Sequence, residues 1–478
     1  MKVADLIKQL LSESAVYGFS SVLSRFAQVL LMPLYTRFLT PGDYGVMAIV
    51  TTASTVAGII VTFQLNSSAF RWFLDTEDED DRKTTMSSWA WCQLVSSAFL
   101  VGLVYFYDTA FGISIQNDQE TIAVGTYLLL ALSTVFFSTF ELVFLSLLRI
   151  QRRKWQTLVV TLFGLALTVA ITIILVVVFE MGLYGIYLAA LLASIIKAGF
   201  YSIFLANWIL PRYFRYQRLK EMLKYSLPFI PAGLSLWVIG LIDRFFLIKY
   251  TNSYETGLYQ LSNTIASVLT VITTGFLQAW SPFAFSISDL PNAKETYASV
   301  LEIFLIITCV LTIAVSYFSP EILYFLATPT FYQSYDTVGI LCLSNSLLGV
   351  YQIVAIGLAL RKKTTPIFYA TLFASIFNVA ANFVLIPMYG RHGAAWVTLL
   401  STLIIPIYLF PIAQRNYFIP YRLVKVAFIF VATLFLLQID GLFGEIGIRS
   451  AVMKIGSIAV FIVCLFFLSK PFSRPESV

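Results

Sequence analysis

Apolar runs of about 20 residues, each long enough to cross the roughly 30 Å of hydrocarbon in a bilayer, follow one another along nearly all of this chain. Short loops separate them. Chains built this way have few ways to fold, because a backbone segment in hydrocarbon must satisfy its own polar groups. Composition points the same way, with 59% hydrophobic and only 12% charged residues in 478. The expectation is an all-α polytopic membrane protein of about 14 transmembrane helices, with no soluble domain. Spans are expected at about 12–36, 44–66, 85–107, 121–148, 156–179, 184–208, 226–250, 256–284, 297–319, 333–360, 365–387, 393–413, 423–439 and 451–469. Residues 1–13 read as an amphipathic lead-in carrying Lys2 and Lys8, so no cleavable signal is expected.

Orientation follows from the basic residues. With the N-terminus inside, 23 of the 31 Lys and Arg fall on inside segments and only five outside: Arg37, Lys249, Arg391, Arg449 and Lys454. By the positive-inside rule both termini are cytoplasmic. The same asymmetry accounts for the net charge of +6, so no nucleic-acid partner is implied. The four cysteines, Cys92, Cys309, Cys342 and Cys464, sit in apolar runs and are expected to be buried packing residues. With a single histidine, His392, there is little from which to build a catalytic or metal centre, and no catalytic residue, metal or cofactor is expected. The six carboxylates between Asp75 and Asp81 include the triplet Asp78-Glu79-Asp80, but they read as a solvated loop rather than a glycosyltransferase metal site. No phosphate-binding Gly-rich loop is present to drive transport with ATP.

A few ionisable residues stand inside the expected spans, where charge is costly and is retained for pairing or function. Arg25 lies near the middle of the first, about 15 Å from either end and too deep to snorkel easily. It is read as a cavity-lining cation or as half of an interhelical ion pair. Lys197 is similarly central in the sixth span, whereas Arg244 lies near enough to Lys249 to reach outward. Asp243, one residue away on the same helix, is expected to point elsewhere, toward Arg25 or a bound proton. Glu141 in the fourth span raises the same choice between charge pairing and ion coupling. Asn378 and Asn382, four apart, share one helical face, for sugar contact or helix packing.

The chain also repeats itself. At an offset of 212, Ser14 matches Ser226, Arg37 matches Lys249, Asp43 matches Glu255 and Gly45 matches Gly257. Near 209 to 210, Arg152-Arg153-Lys154 matches Arg361-Lys362-Lys363, and near 208, Gly182 and Gly185 match Gly390 and Gly393. Such an ordered series implies duplication of a six-helix unit, and an even number of spans leaves both copies in the same orientation. The expected organisation is a six-helix lobe at 1–210, a basic cytoplasmic linker at 211–225, a second six-helix lobe at 226–415, and two extra helices with a tail at 416–478.

Several segments together resemble the multidrug/oligosaccharidyl-lipid/polysaccharide exporter superfamily, and within it the bacterial polysaccharide flippases. They are Pro33-Leu34-Tyr35-Thr36-Arg37-Phe38-Leu39-Thr40-Pro41 with Tyr44-Gly45, then Asp243-Arg244, then Asn378, Asn382, Leu385-Ile386-Pro387, Gly390 and Gly393-Ala394-Ala395. The resemblance implies a two-lobed, V-shaped transporter of the bacterial cytoplasmic membrane, not an enzyme. Its implied cargo is an oligosaccharide on a polyprenyl diphosphate, carried to the outer leaflet for surface polysaccharide synthesis. Arg25, Lys197 and Arg244 are the candidate cations for the diphosphate, Asp243 and Glu141 the candidates for ion coupling or charge pairing, and Asn378 and Asn382 polar contacts. Membrane lipids, a coupling ion (H+ or Na+) and glycan polymerases or glycosyltransferases are the implied partners. Two rivals are an ion-coupled multidrug or small-metabolite antiporter, and a membrane-embedded polymerase or glycosyltransferase; the latter usually needs larger loops than this chain has.

The orientation can be checked by labelling. With the native cysteines replaced, Glu77→Cys, Lys220→Cys and Lys362→Cys should resist an impermeant thiol reagent outside intact cells, while Asp118→Cys should react. Labelling at Lys362→Cys would reverse the topology.

Overall fold

The computed structural model describes residues 31–116, 121–151, 153–288, 290–361, 363, 365–439 and 447–469. Among these residues ten helices are long and apolar enough to cross a membrane, or eleven counting one bent pair as a single span. The expected total of about 14 is not reached among them. The first expected span lies mostly outside the described residues; only its end, helical from 31 to 38, is seen.

Two units divide the chain, one formed by residues 1–260 with 379–390, the other by 261–378 with 391–478. In the first, α1 (Pro41–Thr62) is followed by α2 (Leu65–Leu74), α3 (Glu79–Phe111), a two-stranded antiparallel ribbon of β1 (Ser114–Gln116) and β2 (Thr121–Ala123), α4 (Gly125–Ile150), α5 (Lys154–Ile173) and α6 (Gly182–Leu205). α4 packs against α3 and α6, with Trp89 buried and Phe144 stacked on Tyr201 at 5.0 Å. The short α7 (Tyr216–Ser226) meets α8 (Phe229–Leu241) at 49°, and α9 (Asp243–Tyr250) completes the first unit's run. The seventh expected span, 226–250, is therefore not one straight helix.

α10 (Ser253–Ser286) leads into the second unit, where α11 (Ala293–Tyr317), α12 (Ser319–Leu326), α13 (Tyr335–Val354) and α14 (Ile356–Leu360) follow. Two expected spans, 365–387 and 393–413, are two helices, labelled together as α15 (Thr365–Asn416), that meet at a kink at Gly390. Its φ of 53° and ψ of −131° suit a residue without a Cβ, which lets the chain turn without a loop. α16 (Leu423–Gln438) and α17 (Ile448–Ser469) both pack on α11, and the Tyr317 hydroxyl donates to the Leu436 carbonyl at 3.1 Å. Cys309 and Cys342 are buried and Cys92 half-buried, but Cys464 is exposed, contrary to expectation; its helix turns that face outward.

The repeat has a physical counterpart within the first unit. Thr40 caps α1 through the backbone N–H of Asp43, and the Asp43 carboxylate accepts in return from the Thr40 backbone N–H at 2.9 Å. At the matching positions Asn252 accepts from the N–H of Glu255 at 2.8 Å and so caps α10. The two helix starts touch reciprocally: a Cβ on Gly45 would overlap the Ser253 carbonyl, and one on Gly257 would overlap the Pro41 carbonyl. Ser253 is the counterpart of Pro41, so the contact has the form of a local two-fold axis. The two turns lie side by side, on one face.

Because each glycine meets backbone rather than a movable side chain, neither can be enlarged without shifting a helix. Gly45→Val and Gly257→Val should each lower stability by about 1–3 kcal/mol or more, read as a fall in the thermal unfolding midpoint of the purified protein. Gly102→Ala, which points into open space, should leave the midpoint unchanged.

Candidate functional site

Polar side chains recur on α1 and α4 at intervals of three and four, and the structure gathers them on one wall. From α1 come Thr51, Ser54, Thr55 and Thr62; from α4, Thr134, Ser138 and Glu141; α3 adds Gln93 and α6 adds Tyr187. They surround a cavity of about 600 Å³ within the first unit, a size suited to a small-molecule group.

The hydroxyls have a common orientation. Ser54 and Thr55 donate to the carbonyls of Val50 and Thr51, both at 2.7 Å, and Thr134 and Ser138 donate to those of Leu130 and Val135 at 2.9 and 2.8 Å. With their protons turned back onto their own helices, the oxygens offer lone pairs to the cavity. Gln93 Oε1, buried, has no hydrogen-bond partner among the described residues. The wall is otherwise mostly apolar, and these acceptors are the groups on it that a ligand with donors would meet.

Glu141 carries the one carboxylate on this wall, and its Oε2 lies 2.6 Å from Lys197 Nζ on α6. The side chains are 24% and 14% exposed, so the pair is partly withdrawn from solvent. Gly164 on α5 makes room for it: a Cβ there would sit 3.1 Å from the Lys197 stem and 3.6 Å from the Tyr201 hydroxyl. Of the expected cavity residues, Glu141 and Lys197 are brought together.

Arg244 and Asp243 are placed differently from expectation. Both are 1% exposed, and Arg244 Nη1 lies 2.6 Å from Asp243 Oδ1. The expectation that neighbouring residues cannot meet considered helix direction but not side-chain length: the Arg244 guanidinium folds back to the Gly240 carbonyl and there meets the carboxylate of Asp243 beside it. Nor does Arg244 reach outward. Its Nη1 donates to the Gly240 carbonyl at 2.5 Å, its Nε reaches Gln260 Oε1 at 3.3 Å, and Tyr259 donates its hydroxyl to Asp243 Oδ2 while its ring lies 5.2 Å from the guanidinium. Asn378 Nδ2 donates to Ser401 Oγ at 3.1 Å, a contact inside the second unit, and Asn382 is buried. Arg25 lies outside the described residues.

Sequence reading overlooked the hydroxyl rows and Gln93; Ser and Thr at helical spacing inside apolar spans were the available signal. It also placed Lys454 in an outside segment, yet Lys454 on α17 is fully buried, with Nζ 2.6 Å from Glu321 Oε1 on α12. Its position six residues into a helix that opens in the loop hid this.

The family described as "Polysaccharide biosynthesis protein" matches residues 34–327 of this chain. The chain belongs to that family. Among curated relatives, an uncharacterized membrane protein of Methanocaldococcus jannaschii is 23% identical over 258 residues, covering 49% of this chain and 59% of the relative. A protein of the Lsg locus of Haemophilus influenzae is 22% identical over 279 residues, covering 57% of this chain and 65% of that one. The chain thus spans less than two thirds of the length of either relative.

Similarity to solved structures extends further along the family member described here. Lipid II flippase MurJ, in an inward closed conformation, superposes with a TM-score of 0.70 over 95% of this chain and 99% of that one at 15% identity. An inward-facing multidrug resistance MATE family transporter of the MOP superfamily gives 0.67 over 85% and 95% at 14% identity. At such identities the likeness speaks to fold, and the fold is that of flippases and multidrug transporters. The expected superfamily and the multi-pass all-α class both hold.

The Glu141 and Lys197 pair yields a thermodynamic expectation. Glu141→Gln or Lys197→Met leaves one charge without its partner and should cost about 2 kcal/mol, less than the 3–5 of a fully buried pair because some solvent reaches it. The double variant should regain most of that loss in a thermal unfolding series. Additive losses would mean that the two charges do not sense each other.

Proposed function

We propose that this protein is a flippase that carries a polyprenyl-diphosphate-linked oligosaccharide from the cytoplasmic to the outer leaflet of a bacterial cytoplasmic membrane by alternating access, for cell-surface polysaccharide synthesis. Family membership supports the polysaccharide setting. The observation that carries the reading is the set of Ser and Thr rows with Gln93 on the otherwise apolar wall of the 600 Å³ cavity. Sugar hydroxyls bring the donors this wall lacks, and a buried acceptor without a partner favours a ligand that supplies one.

The diphosphate needs cations to replace its hydration in a low-dielectric path. Arg25 and Lys197 serve this role; Lys197 must then exchange Glu141 for phosphate, which frees the carboxylate to take up H+ or Na+. Transport and ion coupling meet in that exchange. Arg244, held by Asp243, the Gly240 carbonyl and Gln260, contributes to cargo binding only in a conformation that loosens this network. Asn378 and Asn382 act first as packing groups. The proposed lobes are residues 1–210 and 226–415, with both termini cytoplasmic. Glycan polymerases or glycosyltransferases are the proposed working partners, and the protein itself performs no bond chemistry.

The rival reading, an ion-coupled multidrug antiporter, draws on the fold shared with MATE transporters; the match to the polysaccharide biosynthesis family favours the glycan cargo over it.

A strain lacking the gene should accumulate lipid-linked oligosaccharide on the cytoplasmic side and lose the surface glycan, and the wild-type gene should restore both. At normal membrane abundance Arg25→Ala and Lys197→Ala should fail to restore export, while Arg25→Lys should restore part of it, since a single ammonium replaces the bidentate fork incompletely. Unchanged glycan with heightened drug sensitivity in the deletion strain would favour the antiporter instead.

A further inference from the structure

Outside the cavity, the first unit carries a second concave surface where α3 meets the segment leading into α7. Trp91, Val95 and Phe99, four residues apart on α3, form one wall, and Pro211, Phe214 and Leu219 form the other. The groove holds about 610 Å³. Its α3 wall is turned outward: Val95 is 63% and Phe99 71% exposed, as expected of side chains that meet lipid tails. Trp91 is tied down by its Nε1 donating to the Ile209 carbonyl at 2.9 Å, so the wall is fixed rather than adaptable.

Charge gathers at one end of this groove. Residues 212–224 hold Arg212, Arg215, Arg218, Lys220 and Lys224. Of the acids nearby, Asp81 pairs with Arg218, Glu79 and Asp80 share Lys83, and Glu221 accepts from the neutral Gln217 amide. Arg212 and Arg215, both exposed, have no carboxylate partner among the described residues. They adjoin the groove directly. Arg215 Nη1 donates to the carbonyl of Phe214, a groove residue, at 3.1 Å, and to that of Arg212 at 3.0 Å; Arg212 lies 4.9 Å from the Tyr213 ring. Tyr216, 70% exposed, supplies the amphipathic aromatic typical of headgroup depth.

We propose that this groove binds an anionic phospholipid, one acyl chain lying along Trp91, Val95 and Phe99 and the phosphate held by Arg212 and Arg215. An apolar trough a few turns long with two uncompensated guanidinium groups at its polar end matches both halves of such a lipid, and neither half alone. A zwitterionic lipid would bring its own ammonium against the arginines and bind less well. This site is separate from the transport cavity and stands whether or not the cargo is a lipid-linked oligosaccharide.

The test uses the full-length purified protein and phosphatidylglycerol. Phosphatidylglycerol brominated on its acyl chains should quench a part of the tryptophan fluorescence that is absent in Trp91→Phe, at concentrations about tenfold lower than brominated phosphatidylcholine requires. Arg212→Gln with Arg215→Gln should remove this preference, whereas Arg361→Gln with Arg415→Gln, the same charge change in the second unit, should keep it. Val95→Phe, which narrows the trough without adding a fluorophore, should weaken the Trp91-dependent quenching for both lipids. Equal binding of the two lipids by the wild type would overturn the proposal, and that arm needs no variant to fold. So would a control that loses the preference as fully as the Arg212 and Arg215 double variant, since general surface charge would then suffice. Competition by soluble glycerol phosphate as effective as by the intact lipid would reduce the site to an anion patch and also overturn it.

Discussion

Hydrocarbon supplies no hydrogen bonds, and each interruption of a helix in this protein has to make good that deficit locally. At the join of α1 and α2, Phe63 and Gln64 both adopt left-handed φ, at roughly 1–2 kcal/mol each for a residue with a side chain. Even so, the Phe63 N–H reaches the Ile60 carbonyl at 3.2 Å and the Ser67 N–H reaches that of Gln64 at 3.2 Å. Where α5 ends in a wide turn over Ile174–Val178, the N–H of Phe179 returns to the Ile174 carbonyl at 3.1 Å. At the join of α8 and α9 a side chain takes part as well: Arg244 donates to the Gly240 carbonyl, and Asp243 neutralises the guanidinium that does so.

Rules of helical spacing were misleading at this pair. Consecutive residues point about 100° apart, but the long Arg244 side chain folds back to the Gly240 carbonyl and there meets the Asp243 carboxylate. Elsewhere those rules served well. Apolar runs located most of the described spans to within a few residues, and the matched Asp43-Tyr44-Gly45 and Glu255-Thr256-Gly257 anticipated two capped turns that prove to be each other's neighbours. Partners distant in sequence were the blind spot. Lys197 and Glu141 were each legible as costly charges, but nothing in a linear reading selects one for the other, and Lys454 was hidden because its partner, Glu321, lies in a separate helix. The cavity wall escaped notice for a different reason: Ser and Thr are common in membrane helices, and only three dimensions show which of them share a space.

Within the cavity, the geometry sets two kinds of recognition side by side. Hydroxyls that have spent their protons on backbone carbonyls are acceptors of fixed direction, suited to a ligand of many weak donors. The Lys197 ammonium and the Glu141 carboxylate are instead a partly exposed ion pair beside these acceptors. Gly164 keeps the space in which that ammonium can move.

The contact between Lys454 and Glu321 also bears on how the protein is made. The two residues are 133 positions apart, so at 5–20 residues per second Glu321 leaves the ribosome roughly 7–27 s before its counter-charge exists. During that interval the carboxyl on α12 is without this partner. Arrival of α17 ends the wait, drawing Lys454 into the bundle. α17 therefore closes a contact with a helix made well before it.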